Sequence, residues 1–136
     1  MEELKYISNL LEGYKSKLTK PGTEWPHDIR RGLNCLNEHL FDTRCSVRKM
    51  KITCNIAGQN FSSRFRNYTG FTPRSYISYH RLKAAKILLN DEKLNRVPVN
   101  SLGFMIGYEK PSAFNTRFKK KTNLSPTEWR KNGVKK

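Results

Sequence analysis

One pattern is written twice in this chain. Phe61-Ser-Ser-Arg-Phe-Arg66, then Thr69-Gly-Phe-Thr-Pro73 and Tyr76, recur 53 residues later as Phe114-Asn-Thr-Arg-Phe-Lys119, then Thr122-Asn-Leu-Ser-Pro126 and Trp129. Upstream the register holds after a one-residue slip, because Val47, Met50, Cys54, Asn55 and Ile56 match Val99, Leu102, Ile106, Gly107 and Tyr108 at an offset of 52. A duplication that keeps aromatic, basic and proline positions in register requires two copies of one supersecondary unit. Each copy reads as a helix, a tight turn and a second helix.

Charge says what the two copies serve. Residues 1–45 carry seven Lys/Arg and seven Asp/Glu, whereas residues 46–136 carry 20 basic and 4 acidic side chains, so the whole formal excess of 16 lies in the repeated region. A surplus segregated in this way is an electrostatic footprint for a polyanion. Solubility alone would not make the charge track the duplication.

Length bounds the rest. With 136 residues, 36% of them apolar, the chain can build one compact domain or two very small ones sharing a helix, and no large enzyme core. No apolar run approaches the roughly 18 residues of a membrane span, and Met1-Glu-Glu-Leu-Lys5 lacks the basic and apolar regions of a secretion signal. The expected compartment is the cytoplasm, in association with the nucleoid. Cys35, Cys45 and Cys54 fit neither a disulfide framework nor a zinc pattern and read as small buried hydrophobes. Glu38 and Asp42 lie four apart on a predicted helix, but no His or Cys cluster accompanies them, and His27, His39 and His80 are isolated. No catalytic residue, metal site or cofactor is expected.

Three segments follow from the punctuation. Residues 1–25 form an N-terminal amphipathic helix and linker, residues 26–90 the first helix-turn-helix unit with a linker helix, and residues 91–136 the second unit with a basic tail. In the first segment Leu4, Ile7, Leu11, Tyr14 and Leu18 alternate in steps of three and four. That stripe fits a helix lying on its own domain better than a coiled-coil seam, which asks for three or four heptads; a weak dimer through residues 4–18 is the alternative use. Ser46 is the expected N-cap of a short helix with Val47, Met50 and Cys54 inward. A helix over about Gly58 to Tyr68 buries Phe61, Phe65 and Tyr68, and Gly70 supplies its left-handed cap. Pro73 opens a long helix through about Leu89, with Tyr76, Ile77, Leu82, Ala85, Leu88 and Leu89 wide enough to serve both units. Asn90 to Pro98 is a connector. The second unit repeats the first, with Asn123 in the place of Gly70 and a short closing helix from Ser125-Pro126.

With the aromatic residues inward, a helical period of 100° puts Gln59, Ser63 and Arg66 on the outer face of the first unit's second helix, flanked by Ser62 and Asn67. Ser112, Thr116 and Lys119 take that face in the second unit, flanked by Asn115 and Lys120. Such side chains can read a major groove: Gln pairs with adenine and Arg with guanine, while Ser, Thr and Asn make shorter contacts. Arg48, Lys49, Lys110, Lys119, Lys120 and Lys121 are candidates for phosphate neutralisation.

Taken in order, Phe61 to Pro73, Tyr76, Arg81-Leu82, Ala85, Leu88-Leu89, Val99, Gly107-Tyr108, Ser112, Phe114, Phe118-Lys119, Ser125-Pro126 and Trp129-Arg130 resemble the DNA-binding domain of AraC/XylS-type transcription regulators over residues 26 to 131. The resemblance implies an all-α, seven-helix domain of two helix-turn-helix units joined by a long linker helix, to which this chain adds its N-terminal helix. It implies sequence-specific binding of double-stranded DNA through two adjacent major grooves, with RNA polymerase as protein partner. It places base contacts at Gln59, Ser62, Ser63, Ser112, Asn115 and Thr116, and phosphate contacts at Arg66 and Lys119 besides the other basic residues. The chain departs from the family at Lys51 and Gly103, where a small apolar residue is usual, and at Ala57-Gly58, where the first recognition helix lacks a serine cap. Regulators of this family often carry a sensing domain, so the chain is read either as a stand-alone regulator or as the C-terminal piece of something larger. The rival reading is a nonspecific RNA-binding or chromosome-coating protein, which would need no pair of groove-shaped polar faces.

Overall fold

The two turns of the repeat close on the same hydrogen bonds. Ile56 N donates to Lys51 O at 2.8 Å and Tyr108 N to Gly103 O at 2.9 Å. Nested inside them, Asn55 N reaches Ile52 O at 3.2 Å and Gly107 N reaches Phe104 O at 3.1 Å. This pairing needs a left-handed residue at the corner, and Asn55 (φ 54°) and Gly107 (φ 114°) supply it.

The computed structural model describes residues 2–57 and 60–133, and among these the chain is all helix and turn. Its helices are α1 Glu2–Ser16, α2 His27–His39, α3 Val47–Thr53, α4 Phe61–Thr69, α5 Pro73–Asn90, α6 Val99–Met105, α7 Pro111–Thr122 and α8 Pro126–Gly133. This is the expected architecture of seven helices plus an N-terminal one. The recognition helices α4 and α7 end alike as well, on Gly70 (φ 84°) and Asn123 (φ 66°). Thr69 Oγ1 donates to Phe65 O at 2.9 Å and accepts from Phe71 N at 3.1 Å, while Thr122 Oγ1 donates to Phe118 O at 2.9 Å and accepts from Leu124 N at 3.2 Å. Polar groups that a helix end would leave unpaired are thereby satisfied. Ser46, Thr72 and Ser125 cap the starts of α3, α5 and α8, and Glu128 returns the bond to Ser125 N at 2.8 Å in a capping box.

Two cores form, one per unit, and α5 belongs to both. Its first turns give Tyr76 and Ile77 to a cluster with Ile29, Leu33, Leu36, Leu40, Met50, Phe61 and Phe65. Its later turns give Ala84, Ala85, Leu88 and Leu89 to a cluster with Leu102, Ile106, Phe114 and Phe118. The offset of 52 extends into these helices: Ile29, Gly32, Leu33 and Leu36 of α2 correspond to Arg81, Ala84, Ala85 and Leu88 of α5. All eight are buried. Thus α5 is the closing helix of the first unit and the opening helix of the second, with Tyr76 and Trp129 set edge-on to Phe65 and Phe118 at 6.1 and 5.7 Å.

The N-terminal helix lies on this domain. Ile7 and Leu11 enter the second unit's core and Leu18 the first's, whereas Leu4 is exposed. Tyr6 donates to Asp91 at 2.6 Å, and the Tyr14 hydroxyl meets His80 Nδ1 at 2.6 Å. The stripe of residues 4–18 is therefore largely taken up within the chain.

Several expectations are corrected. Tyr68 is 42% exposed, lying against Trp25 outside the core. In α5 the buried position is Arg81, and its neighbour Leu82 is half-buried. The connector 90–98 contains a 3-10 turn, Glu92–Leu94, that buries Leu94. Asp42 lies beyond the end of α2, its carboxylate accepting from Arg44 N, so it shares no helix with Glu38. The three cysteines are free and half-buried.

Candidate nucleic-acid interface

Burial of Phe61 and Phe65 on α4, and of Phe114 and Phe118 on α7, fixes which face each recognition helix turns outward. Ser63, Arg66 and Asn67 are exposed on α4; Ser112, Thr116, Lys119, Lys120 and Lys121 are exposed on α7. Ser62 and Asn115 are half-buried at the flanks, and the Asn115 amide already donates to Pro111 O at 3.0 Å. Gln59 lies outside the described residues. Arg48 and Lys49 are exposed on the first turn of α3, and Lys110 is exposed immediately before α7.

Glycines bring the recognition helices close to their supports, from a different helix in each unit. A Cβ on Gly103 of α6 would stand 2.4 Å from the Phe114 ring, and one on Gly32 of α2 would stand 2.8 Å from Phe61 Cζ. At the position matching Gly103, α3 has Lys51, whose ammonium lies 5.8 Å from the Phe61 centroid. Phe61 is nevertheless 0% exposed, because the room it needs comes from α2.

The two arginines of the repeat differ in task. Arg64 makes a two-pronged pair with Asp28 of α2 at 2.8 and 2.9 Å, and this hydrogen bonding holds the Asp28 carboxyl below the usual carboxylate range. Arg117 occupies the matching place on α7, but the residue matching Asp28 is His80, which is engaged with Tyr14. Arg117 thus remains exposed beside a cleft of about 510 Å³ between α5 and α7, lined by Phe71, Arg74, Tyr79, Lys120 and Lys121 among others. Among the described residues, the ion pairs within 4.0 Å are Lys15–Glu12, His39–Glu38, Arg44–Asp42 and Arg64–Asp28. None involves a candidate phosphate-binding cation. Arg74 and Arg117 therefore join that set, and sequence reasoning missed them: Arg117 is indistinguishable from Arg64 until the place of Asp28 is known.

A family model for a helix-turn-helix domain matches residues 54–132, more than half of the chain. The chain belongs to the AraC-type helix-turn-helix family. Members of this family are DNA-binding transcription regulators. The arabinose operon regulatory protein of Escherichia coli is 26% identical over 102 residues, which are 75% of this chain and 34% of that protein. Histidine kinase P4 of Formosa agariphila is 22% identical over 101 residues, 74% of this chain and 7% of that protein. The chain thus spans about a third or less of the length of these two relatives. Among solved structures, the C-terminal domain of AraT, a response regulator from Geobacillus stearothermophilus, superposes with a TM-score of 0.67 at 20% identity, covering 80% of this chain and 88% of that one. That likeness is one of fold. No described helix is long and apolar enough to cross a membrane.

Proposed function

We propose that this chain is the sequence-specific DNA-binding part of a transcription regulator, reading two adjacent major grooves of one duplex with α4 and α7. The observation that carries this reading is the pair of like-built units: the same turn, the same aromatic anchoring and an exposed polar face on each recognition helix, joined by one unbroken α5. Ser63, Ser112 and Thr116 meet base edges, with Ser62, Asn115 and Gln59 beside them. Arg48, Lys49, Arg66, Arg74, Lys110, Arg117, Lys119, Lys120 and Lys121 meet phosphates. Units held about one helical turn apart, roughly 34 Å, let a single chain read two half-sites for which a simple helix-turn-helix protein needs a dimer. Dimerisation through residues 4–18 forms no part of this reading, since Ile7 and Leu11 are buried on the chain's own domain. RNA polymerase is the protein partner, and the nucleoid the place of action.

The test is selection from a random duplex pool at near-physiological salt. The expected result is two enriched blocks about 10 base pairs apart. One block only would mean that a single unit reads bases, and salt-sensitive binding without enrichment would establish nonspecific nucleic-acid binding instead.

A further inference from the structure

Arg81 is the one charged side chain buried among the described residues, at 8% exposure. It stands on α5 between the two cores, after Tyr76 and Ile77 and before Ala84 and Ala85. Its Nε donates to Leu40 O and its Nη2 to Asp42 O, both at 2.9 Å. These carbonyls follow the end of α2, where helical partners run out. The other side of the same guanidinium faces the second unit. Its Cζ lies 5.5 Å from the Tyr108 ring centroid, and a Cβ on Gly107 would stand 2.4 Å from that atom. Gly107 and Tyr108 form the turn that leads into α7.

One planar group therefore touches the end of α2, which supports α3 and α4, and the corner that sets α7. Arginine suits this place because its donors form a rigid fork while its face stacks on an aromatic ring. The repeat underlines the point: the matching residue of α2 is Ile29, buried in a unit that has no preceding unit to meet. An apolar side chain suffices to close one core. The second copy carries a cation where two cores must be held in register.

Geometry makes that register a matter of specificity. If the recognition helices sit about 34 Å apart, each is about 17 Å from a pivot at Arg81. A rotation of about 10° there moves one helix about 3 Å sideways, across the line joining the two, and a duplex that turns once in about 10 base pairs also carries a half-site sideways around its axis with each added base pair. We propose that Arg81 is a positioning residue that fixes the distance between half-sites, so that spacing becomes part of what the protein recognises. This rests on the two-groove reading above.

The test measures affinity of the full chain for duplexes in which two selected half-sites are set at the best spacing and at one or two base pairs more or less. Wild-type protein should lose at least about tenfold for a one-base-pair shift. Arg81→Lys, which keeps the charge but not the fork, should flatten that contrast to about threefold or less while binding an isolated half-site as wild type does. Tyr108→Leu, which leaves the bonds to Leu40 and Asp42 intact, should flatten it too, and stands as the measurement if Arg81→Lys does not fold at the assay temperature. Uniform loss at every spacing, with the contrast preserved, would reduce Arg81 to a general stabiliser and overturn the proposal. A wild-type protein indifferent to spacing would overturn the two-groove reading itself, and this inference with it.

Discussion

The first unit is held together by an ion pair that the second lacks, Arg64 with Asp28, and the second by an apolar helix that the first barely uses. In the first, Arg64 ties α4 to α2 through Asp28 and Gly32 makes room for Phe61, while the bond of Tyr76 to Asn37 is common to both units, repeated where Trp129 Nε1 donates to Asn90 Oδ1 at 3.0 Å. In the second, α1 brings Ile7 and Leu11 into the core, α8 brings Trp129, and Gly103 makes room for Phe114. Two copies of one motif have diverged in what backs the recognition helix while keeping the turn that aims it. The difference teaches which part of the repeat is geometrically fixed. A corner between two helices has few backbone solutions, so both turns keep the same hydrogen bonds and the same left-handed residue. A buried face only has to be filled, and many side chains can fill it.

That contrast can be broken at several points. The largest effect is expected where the units are most alike: Phe65→Ala and Phe118→Ala should each cost about 3–5 kcal/mol. Equilibrium denaturation checks this, and unequal costs would show that one core is packed more loosely than its burial indicates. Ile7→Ala should cost about 2–5 kcal/mol, and amide exchange should place the loss in α6, α7 and α8 rather than in α3 and α4. Loss of protection spread evenly over both units would mean that α1 stabilises the domain as a whole. Gly103→Ala should cost about 1–3 kcal/mol through the clash with Phe114, against roughly 1 kcal/mol regained in helix propensity. Gly32→Ala, with its contact at the tip of the Phe61 ring, should cost less in the same thermal melts.

The smallest effect separates two polar contacts by pH. Burial, assisted by Lys83, lowers the His80 pKa to about 4, from an ordinary value near 6.5. A depressed histidine favours the folded state above its unfolded pKa, so stability should fall as pH drops from about 6.5 towards 4. The Asp28 carboxyl, depressed by hydrogen bonding to Arg64, contributes above its unfolded value of 3.8 and is lost only below it. Melting temperature against pH should therefore lose its upper slope in His80→Gln and its lower slope in Asp28→Asn. A His80→Gln protein with an unchanged upper slope would remove His80 from the account.

Much of the fold was legible because it rests on local rules. Ser46 and Ser125-Pro126 mark helix starts, Gly70 and Asn123 mark ends, and Phe61, Phe65, Phe114 and Phe118 mark the inner faces through a period of 3.6. The outer faces followed by exclusion, which is why Ser63, Thr116 and Lys119 are exposed where the pattern puts them. Contacts between elements were not legible. Tyr68 has the spacing of a core residue, yet Trp25, from a distant loop, meets it at the surface. Lys51 looks unfit for a packed unit, and only the position of Gly32 on another helix shows why it is tolerated.

By itself the sequence determined that this chain has two copies of a helix-turn-helix unit, where their helices start and stop, which faces turn outward and that those faces are cationic. These properties depend on residues at most a few turns apart, or on a repeat that can be counted. The tertiary structure decided what lies behind each recognition helix, that α1 braces the second unit and that Arg117 is left facing a cleft. It also decided that Arg81 is buried between the cores, because the groups that satisfy a buried guanidinium, Leu40 O and Asp42 O, lie about forty residues away in sequence and meet it only when the end of α2 has packed on α5.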